Sequence, residues 1–413
     1  MNLRSSKWLP AVALALFGAT QAAAADSNNT LKKIEHVFII VLENEGYNTT
    51  FGPNSVAPYL SQTLPKQGVL LTQYYGTGHA SLDNYVAMIS GQAADNETRA
   101  DCQTYADFVM TGKTADGQAI GSGCIYPSSI PTIADQMRNA GKTWRAYMGD
   151  MGNDPAREAA TCGHPSIGSV DLTQTAEAPS TTIPLGDAYA TRHNPFAYFH
   201  SIIDSSDCSV NMVNLNQLTT DLKSVNTTPN FVFITPNLCD DGHDAPCKDG
   251  RPGGLVSADA FLQKWVPTIT NSLAYQENGL LMIIFDEGGF NATVPDGKGG
   301  YLISADGQFC CNQQPGPNLA AFPQSSVIGP YTLSYTSYGG DRTGAVILSH
   351  FLPAGTVSNV PFNHYSMLKT VEDIFGLDYL GYAGASGLMP ILGCAQSDIQ
   401  NFTSKQLGTC DIK

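Results

Sequence analysis

The sequence predicts an α/β fold: a three-layer α/β/α sandwich around a mostly parallel central sheet. Three observations carry this. Short unbroken apolar runs recur along the chain, as in strands buried on both faces. Segments with apolar residues at helical spacing alternate with them, the order that covers a parallel sheet on both sides. Three of the runs stop abruptly at acidic or amide residues, so polar groups gather at one edge of that sheet.

The first run is His36–Leu42, followed directly by Glu43 and Asn44. Trp144–Met148 is a weaker run. Phe231–Thr235 leads through Pro236 and Asn237 to Asp240, Asp241, His243 and Asp244. Residues 280–285 end at Asp286 and Glu287, with two glycines behind them, and 344–348 closes the set. Between the strands, Tyr85, Met88 and Ile89 share a face behind Ser81. Ile133 and Met137 precede a stop at Gly141. Phe261, Trp265, Ile269 and Leu273 mark a third helix, and Met367, Leu368, Val371 and Ile374 a fourth. Residues 174–184 read as a loop, not a boundary. Residues 295–323, rich in Gly, Pro, Asn and Gln, read as an irregular insertion. The expectation is one domain over residues 26–413.

Of 413 residues, 42% are hydrophobic and only 14% charged, which supports a large core and excludes a disordered acidic chain. Lys+Arg is 21 against Asp+Glu 36, a net charge of −15. That argues against nucleic acid as a partner, which needs a basic face. It argues equally against polybasic docking on anionic lipid.

Residues 1–25 read as a secretory signal peptide. Arg4 and Lys7 begin it, an apolar stretch from Trp8 to Phe17 follows, and Ala22 to Ala25 end it. The apolar part is too short to span a bilayer, and no other stretch is long enough, so no stable membrane insertion is expected. The expected location is secreted or periplasmic. All ten cysteines lie beyond the leader, an even number that suits disulfides in an exported protein. Local pairs would be Cys102–Cys124, Cys162–Cys208, Cys239–Cys247 and Cys394–Cys410. The adjacent Cys310 and Cys311 pair with each other or with two partners. Six N-x-S/T sites (Asn28, Asn48, Asn96, Asn226, Asn291, Asn401) matter only in a glycosylating host. No sequence feature specifies an oligomeric state.

Ligands of open α/β sheets bind beyond the carboxyl ends of the strands. Carboxylates crowded there repel one another unless a cation offsets them, so a bound divalent metal is the economical reading. Ordinary solvated strand-end acids are the plain alternative. The stretch Gly76-Thr-Gly-His79-Ala-Ser81-Leu-Asp-Asn84 reads as a Gly-rich turn running into a helix. A helix start suits a phosphate or oxyanion. A serine there is ordinarily an N-cap.

Here the residues resemble a known family. Glu43-Asn44 at a strand end, Ser81-x-x-Asn84 with Gly91 ten residues after Ser81, and Asp286-Glu287-Gly-Gly resemble the alkaline-phosphatase-like superfamily. Within it the chain resembles the phosphoesterase family of secreted acid phosphatases and phospholipases C. Gly123-Cys-Ile-Tyr-Pro, Gly141-Lys-Thr-Trp-Arg-Ala-Tyr-Met148, Arg192-His-Asn-Pro-Phe196, Thr235-Pro-Asn-Leu-Cys-Asp-Asp-Gly-His243 and His364-Tyr-Ser366 add to the likeness. Within that family it looks most like secreted acid phosphatases that dephosphorylate phosphatidylinositol 3-phosphate. The resemblance runs from about residue 34 to 380.

It implies Ser81 as nucleophile, and Glu43, Asn44, Asp286 and Glu287 holding a metal together with Ser81. It implies that His193 and His243 contact the phosphate or protonate the leaving group. His79 would line the same pocket, Asn84 would bind a phosphoryl oxygen, and His364 would be a second-site ligand, a substrate contact or a helix cap. Glu287 stands where two-metal relatives often carry His, and Asp240 and His243 are three apart rather than four. Both departures favour a single oxygen-rich site.

The residue types fit the chemistry. A serine hydroxyl needs a base or a metal to become a nucleophile. A metal also neutralises phosphoryl oxygens during in-line displacement. The expected function is an exported phosphomonoesterase acting through a phosphoserine, on a phosphate-ester substrate such as a phosphoinositide. The rivals are a phospholipase C cleaving phosphodiesters and a non-catalytic exported binding protein on the same fold. A G-x-S-x-G elbow is absent around Ser81, against a serine-protease-type hydrolase.

Overall fold

The computed structural model describes residues 31, 33–290, 292–328 and 331–393. The expected signal peptide, the Cys394–Cys410 pair and the sequons at Asn28, Asn291 and Asn401 lie outside the described residues.

Eight strands form the central sheet: β1 (His36–Leu42), β2 (Val69–Leu71), β3 (Trp144–Met148), β4 (Met212–Asn214), β5 (Phe231–Thr235), β6 (Gly279–Phe285), β7 (Ala345–Leu348) and β8 (Thr356–Ser358). Their spatial order is β8-β2-β7-β6-β1-β5-β3-β4. β1 pairs in parallel with both β5 and β6, and β3 in parallel with β5 and β4. Only β7 runs against its neighbours β6 and β2, so the run at 344–348 is a strand but not a parallel one.

The apolar runs form strands because both faces are covered. All seven residues of β1 are buried. Val37, Ile39 and Val41 enter one core. It is shared with α1 (Ser81–Ser90), α2 (Ile133–Asn139) and α5 (His364–Phe375). Phe38, Ile40 and Leu42 enter the other core, with α3 (Gly254–Thr270). Period-two alternation into two separate cores is what makes three layers.

Helix ends follow local chemistry. Thr132 and Asp135 form a reciprocal capping box at the start of α2. Gly91 ends α1 at φ 66°, where a side chain would also collide with the Leu380 carbonyl. α3 stops at Thr270, so Leu273 does not extend its apolar face. It begins a separate short helix, α4 (Leu273–Asn278), and is exposed.

The insertion differs from the expectation. Residues 292–335 carry a four-stranded sheet of Ala292–Pro295, Tyr301–Ala305, Gln324–Ile328 and Tyr331–Tyr335. Ile303, Ala305, Leu333 and Tyr335 form its own small core. Three expected disulfides are present, Cys102–Cys124, Cys162–Cys208 and Cys239–Cys247, and Cys310 bonds to Cys311, one of the two arrangements left open. Among the described residues no helix is long and apolar enough to cross a membrane.

Candidate active site

β1 lies between β5 and β6, so the loops leaving these three strands converge. Two backbone bonds tie them. Glu43 N–H donates to the Asp241 carbonyl at 2.9 Å, and Asp286 N–H to the Leu42 carbonyl at 2.9 Å. Asn44 takes a left-handed φ of 60° and its N–H donates to Asp286 Oδ1 at 3.0 Å.

Ser81 is not an N-cap. It is the first helical residue of α1, and its Oγ donates to Glu43 Oε2 at 2.8 Å. The next amide, Leu82 N–H, is satisfied by Asp101 Oδ1 at 3.0 Å. Both Ser81 and Glu43 are buried.

His193 ends the short turn Thr191–His193 and sits between two carboxylates. Nε2 is 3.4 Å from Glu43 Oε2 and Nδ1 is 3.3 Å from Asp241 Oδ2. Its ring stacks on Tyr85 at 5.2 Å. Burial, then the charge of Arg192 and the neighbouring His243, holds its pKa well below the usual imidazole range, so it is neutral. His243 lies at the rim, about a third exposed. Its Nδ1 is 2.8 Å from Asp244 Oδ1, and its Nε2 accepts from Arg192 Nη2 at 3.3 Å.

Three residues expected to meet substrate have their polar atoms committed elsewhere. Asn84 staples the turn before Ser81. Its Oδ1 accepts from Thr77 N–H at 2.7 Å and Gly78 N–H at 3.0 Å, and its Nδ2 donates to the carbonyls of Gly78 and Ala80. His79 bridges Glu287 Oε2 at 2.5 Å and Asp341 Oδ2 at 2.8 Å. Burial would lower its pKa, but those two acids outweigh it and push the value up to about 10, so His79 is a fixed cation. His364 lies beneath the site. Its Nε2–H donates to the Asp286 carbonyl at 2.5 Å, so Nδ1 accepts from Tyr74 O–H at 3.0 Å. Both ring nitrogens are thus engaged, and His364 supports Asp286.

Four carboxylates, Glu43, Asp241, Asp286 and Glu287, are buried here. Burial first, then mutual repulsion, pushes Glu43, Asp241 and Asp286 well above the carboxylate range. Glu287 is raised by burial against the opposing pull of His79. Glu43 Oε1, Asn44 Oδ1 and Asp286 Oδ2 are buried without a hydrogen-bond partner. Orphaned carboxylate and amide oxygens at the same strand ends fit a hard divalent cation. A second grouping overlaps the first: Glu43, His193 and Asp241 each offer an atom within 4.8 Å of the others. Glu43 is common to both. Asp241 Oδ2 and both His193 ring nitrogens are likewise buried without a hydrogen-bond partner.

The Phosphoesterase family profile matches residues 53–378, most of the chain. This chain belongs to the phosphoesterase family. Glu43 and Asn44 precede the matched stretch and join the site through β1. Among curated relatives, a phosphate-repressible acid phosphatase of Penicillium chrysogenum is 26% identical over 58% of this chain and 46% of its own length. A probable acid phosphatase of Kluyveromyces lactis is 24% identical over 65% of this chain and 51% of its own. This chain thus spans about half the length of those two fungal relatives. A phosphatidylinositol-3-phosphatase of Mycobacterium tuberculosis is 23% identical over 86% of this chain and 81% of its own.

Sequence reasoning left Asp241, Arg192 and Asp341 without roles, although each touches a site residue. Asp241 was legible as one of the acids after β5. Asp341 had a fainter signal, an acid in a Gly-Gly-Asp turn ahead of β7. Asp83 is also buried, with neither carboxylate oxygen hydrogen-bonded. It sits so close to Gly78 that a side chain there would collide with it.

Proposed function

We propose that this chain is an exported, divalent-metal-dependent phosphomonoesterase that uses Ser81 as its nucleophile. The observation that carries this is the bond from Ser81 Oγ to Glu43 Oε2 at 2.8 Å, at a helix start where three strand-end loops meet. A serine joined to a buried carboxylate has somewhere to send its proton.

Glu43, Asn44, Asp286 and Glu287 would hold the metal together with Ser81, Glu287 through Oε1 because Oε2 faces His79. A bound divalent ion would supply charge neutralisation for the phosphoryl oxygens and a lowered pKa for the serine. Ser81 Oγ then attacks phosphorus. The Ser81–phosphorus bond forms as the ester P–O bond breaks. His193, set between Asp241 and Glu43, lies against the Glu43 oxygen that accepts from Ser81. His243, at the open rim, would protonate the leaving alkoxide once its Nε2, which accepts from Arg192 in this structure, has taken up a proton. Water then displaces the phosphate and Ser81 regains its proton. His79 fixes Glu287 and Asn84 fixes the turn, so both act by positioning.

The substrate class favoured is phosphate monoesters, phosphoinositides among them, and residues 26–413 would act as one catalytic domain. Four disulfides suit an exported protein. The test is a panel of aryl phosphates, phosphoinositides, nucleotides, sugar phosphates and phosphatidylcholine with added divalent metals, on wild type and Ser81→Ala. Release of inorganic phosphate, lost in Ser81→Ala, is expected. Release of diacylglycerol from phosphatidylcholine as the dominant activity would contradict it.

A further inference from the structure

A groove of about 320 Å³ opens beside the acidic cluster. Tyr47, Asn48, Tyr75, Gly288, Gly289 and Arg342 line it. Its walls are the continuations of the site strands: Tyr47 and Asn48 follow the Glu43-Asn44 end of β1, and the glycines follow Asp286-Glu287 after β6. Arg342 comes from the chain leading into β7, the next strand across.

Arg342 is held in place but not neutralised. Its carbonyl accepts from Tyr47 N–H at 2.9 Å. Its guanidinium lies 4.5 Å from the Tyr47 ring, and Nη2 donates to Asn48 Oδ1 at 3.3 Å. Among the described residues it makes no ion pair within 4.0 Å. Asp341, the neighbouring acid and itself part of the groove wall, is engaged elsewhere. Asp341 Oδ2 meets His79, and its Oδ1 accepts from Gln308 N–H at 2.6 Å. In a chain of net charge −15, a positioned, uncompensated guanidinium beside a catalytic cluster is out of pattern. A planar fork of donors held against an aromatic face is the chemistry that takes a phosphate.

We propose that this groove is the leaving-group subsite, and that Arg342 selects phosphate monoesters whose alcohol carries a second phosphate. The inference rests on the reading of Ser81 and its neighbours as a phosphomonoesterase site. Ester cleavage at Ser81 would leave the second phosphate on the departing alcohol, held by Arg342 until release.

The test compares kcat/KM for glucose 6-phosphate and glucose 1,6-bisphosphate, with p-nitrophenyl phosphate establishing basal turnover. Wild type should prefer the bisphosphate through a lower KM. Arg342→Met should cut the bisphosphate-to-monophosphate ratio by about ten- to a hundredfold, and Arg342→Lys should restore part of it. A ratio unchanged in Arg342→Met, including an equal loss on both substrates from a misfolded groove, overturns the assignment. Turnover of p-nitrophenyl phosphate with no preference in wild type overturns it too, while sparing the phosphomonoesterase reading. No turnover of any monoester with any added metal overturns both.

Discussion

His193 stands between two buried carboxylates, with Nδ1 3.3 Å from Asp241 Oδ2 and the opposite nitrogen facing Glu43. Asp241 is therefore the acid placed to bias which ring nitrogen carries the proton. Asp241→Asn keeps the shape and removes the acceptor charge. It should lower kcat by about a hundredfold, leave KM within a few-fold, and shift the pH profile of kcat. An unchanged profile with normal kcat would show that His193 needs no such partner.

Glu43 groups with His193 and Asp241 as candidate cation ligands, and its Oε1 is also buried without a partner, as are Asn44 Oδ1 and Asp286 Oδ2. Removing metal with a chelator should abolish turnover, and divalent ions should restore it. Glu43→Gln should lose at least about a hundredfold in activity and retain less metal after dialysis, measured by elemental analysis. Wild-type activity in protein verified to be metal-free would sink the metal requirement.

Asn84 is expected to matter for the fold as much as for turnover. Asn84→Ala leaves two buried amides, Thr77 and Gly78, without their acceptor. The expected cost is about 3 kcal/mol, read as a lower midpoint in denaturant unfolding. Activity should fall with it, because the turn carries Ser81. Undiminished stability would mean the turn does not depend on this side chain.

Glu372 gives a pH prediction. It is buried in α5, and burial outweighs the Leu380 N–H it accepts, pushing its carboxyl up to about 9. The folded chain therefore keeps this proton when the unfolded chain, near 4.5, has lost it. The stability it contributes is full below pH 4.5 and is lost as pH rises through about 9. Glu372→Gln carries no titration and keeps the acceptor, so the decline of melting temperature toward alkaline pH should become shallower. Identical slopes for the two proteins would count against a neutral Glu372.

Much of this was legible because strands buried on both faces write continuous apolar runs. β1, β3 and β5 have the predicted bounds for that reason. β2, β4 and β8 have only three residues each, too few to show a period. The insertion's strands were hidden by the Gly, Pro and Asn around them. At the site, the acids were legible because they end strands. Asn84, His79 and His364 were harder, because a polar side chain near a pocket can serve its own backbone or a neighbouring acid. Sequence spacing does not say which. Only the fold brings Asp341, more than 250 residues away, against His79.

The central claim is covalent catalysis by Ser81, and trapping the intermediate tests it most directly. Wild-type protein with metal is mixed with p-nitrophenyl phosphate, quenched in acid within the first turnovers, digested and sequenced by mass spectrometry. The account predicts one phosphoryl group on the peptide containing Ser81, located on Ser81, and none in Ser81→Ala, which should not turn over. Phosphate found on another residue, or full turnover by Ser81→Ala, would contradict it.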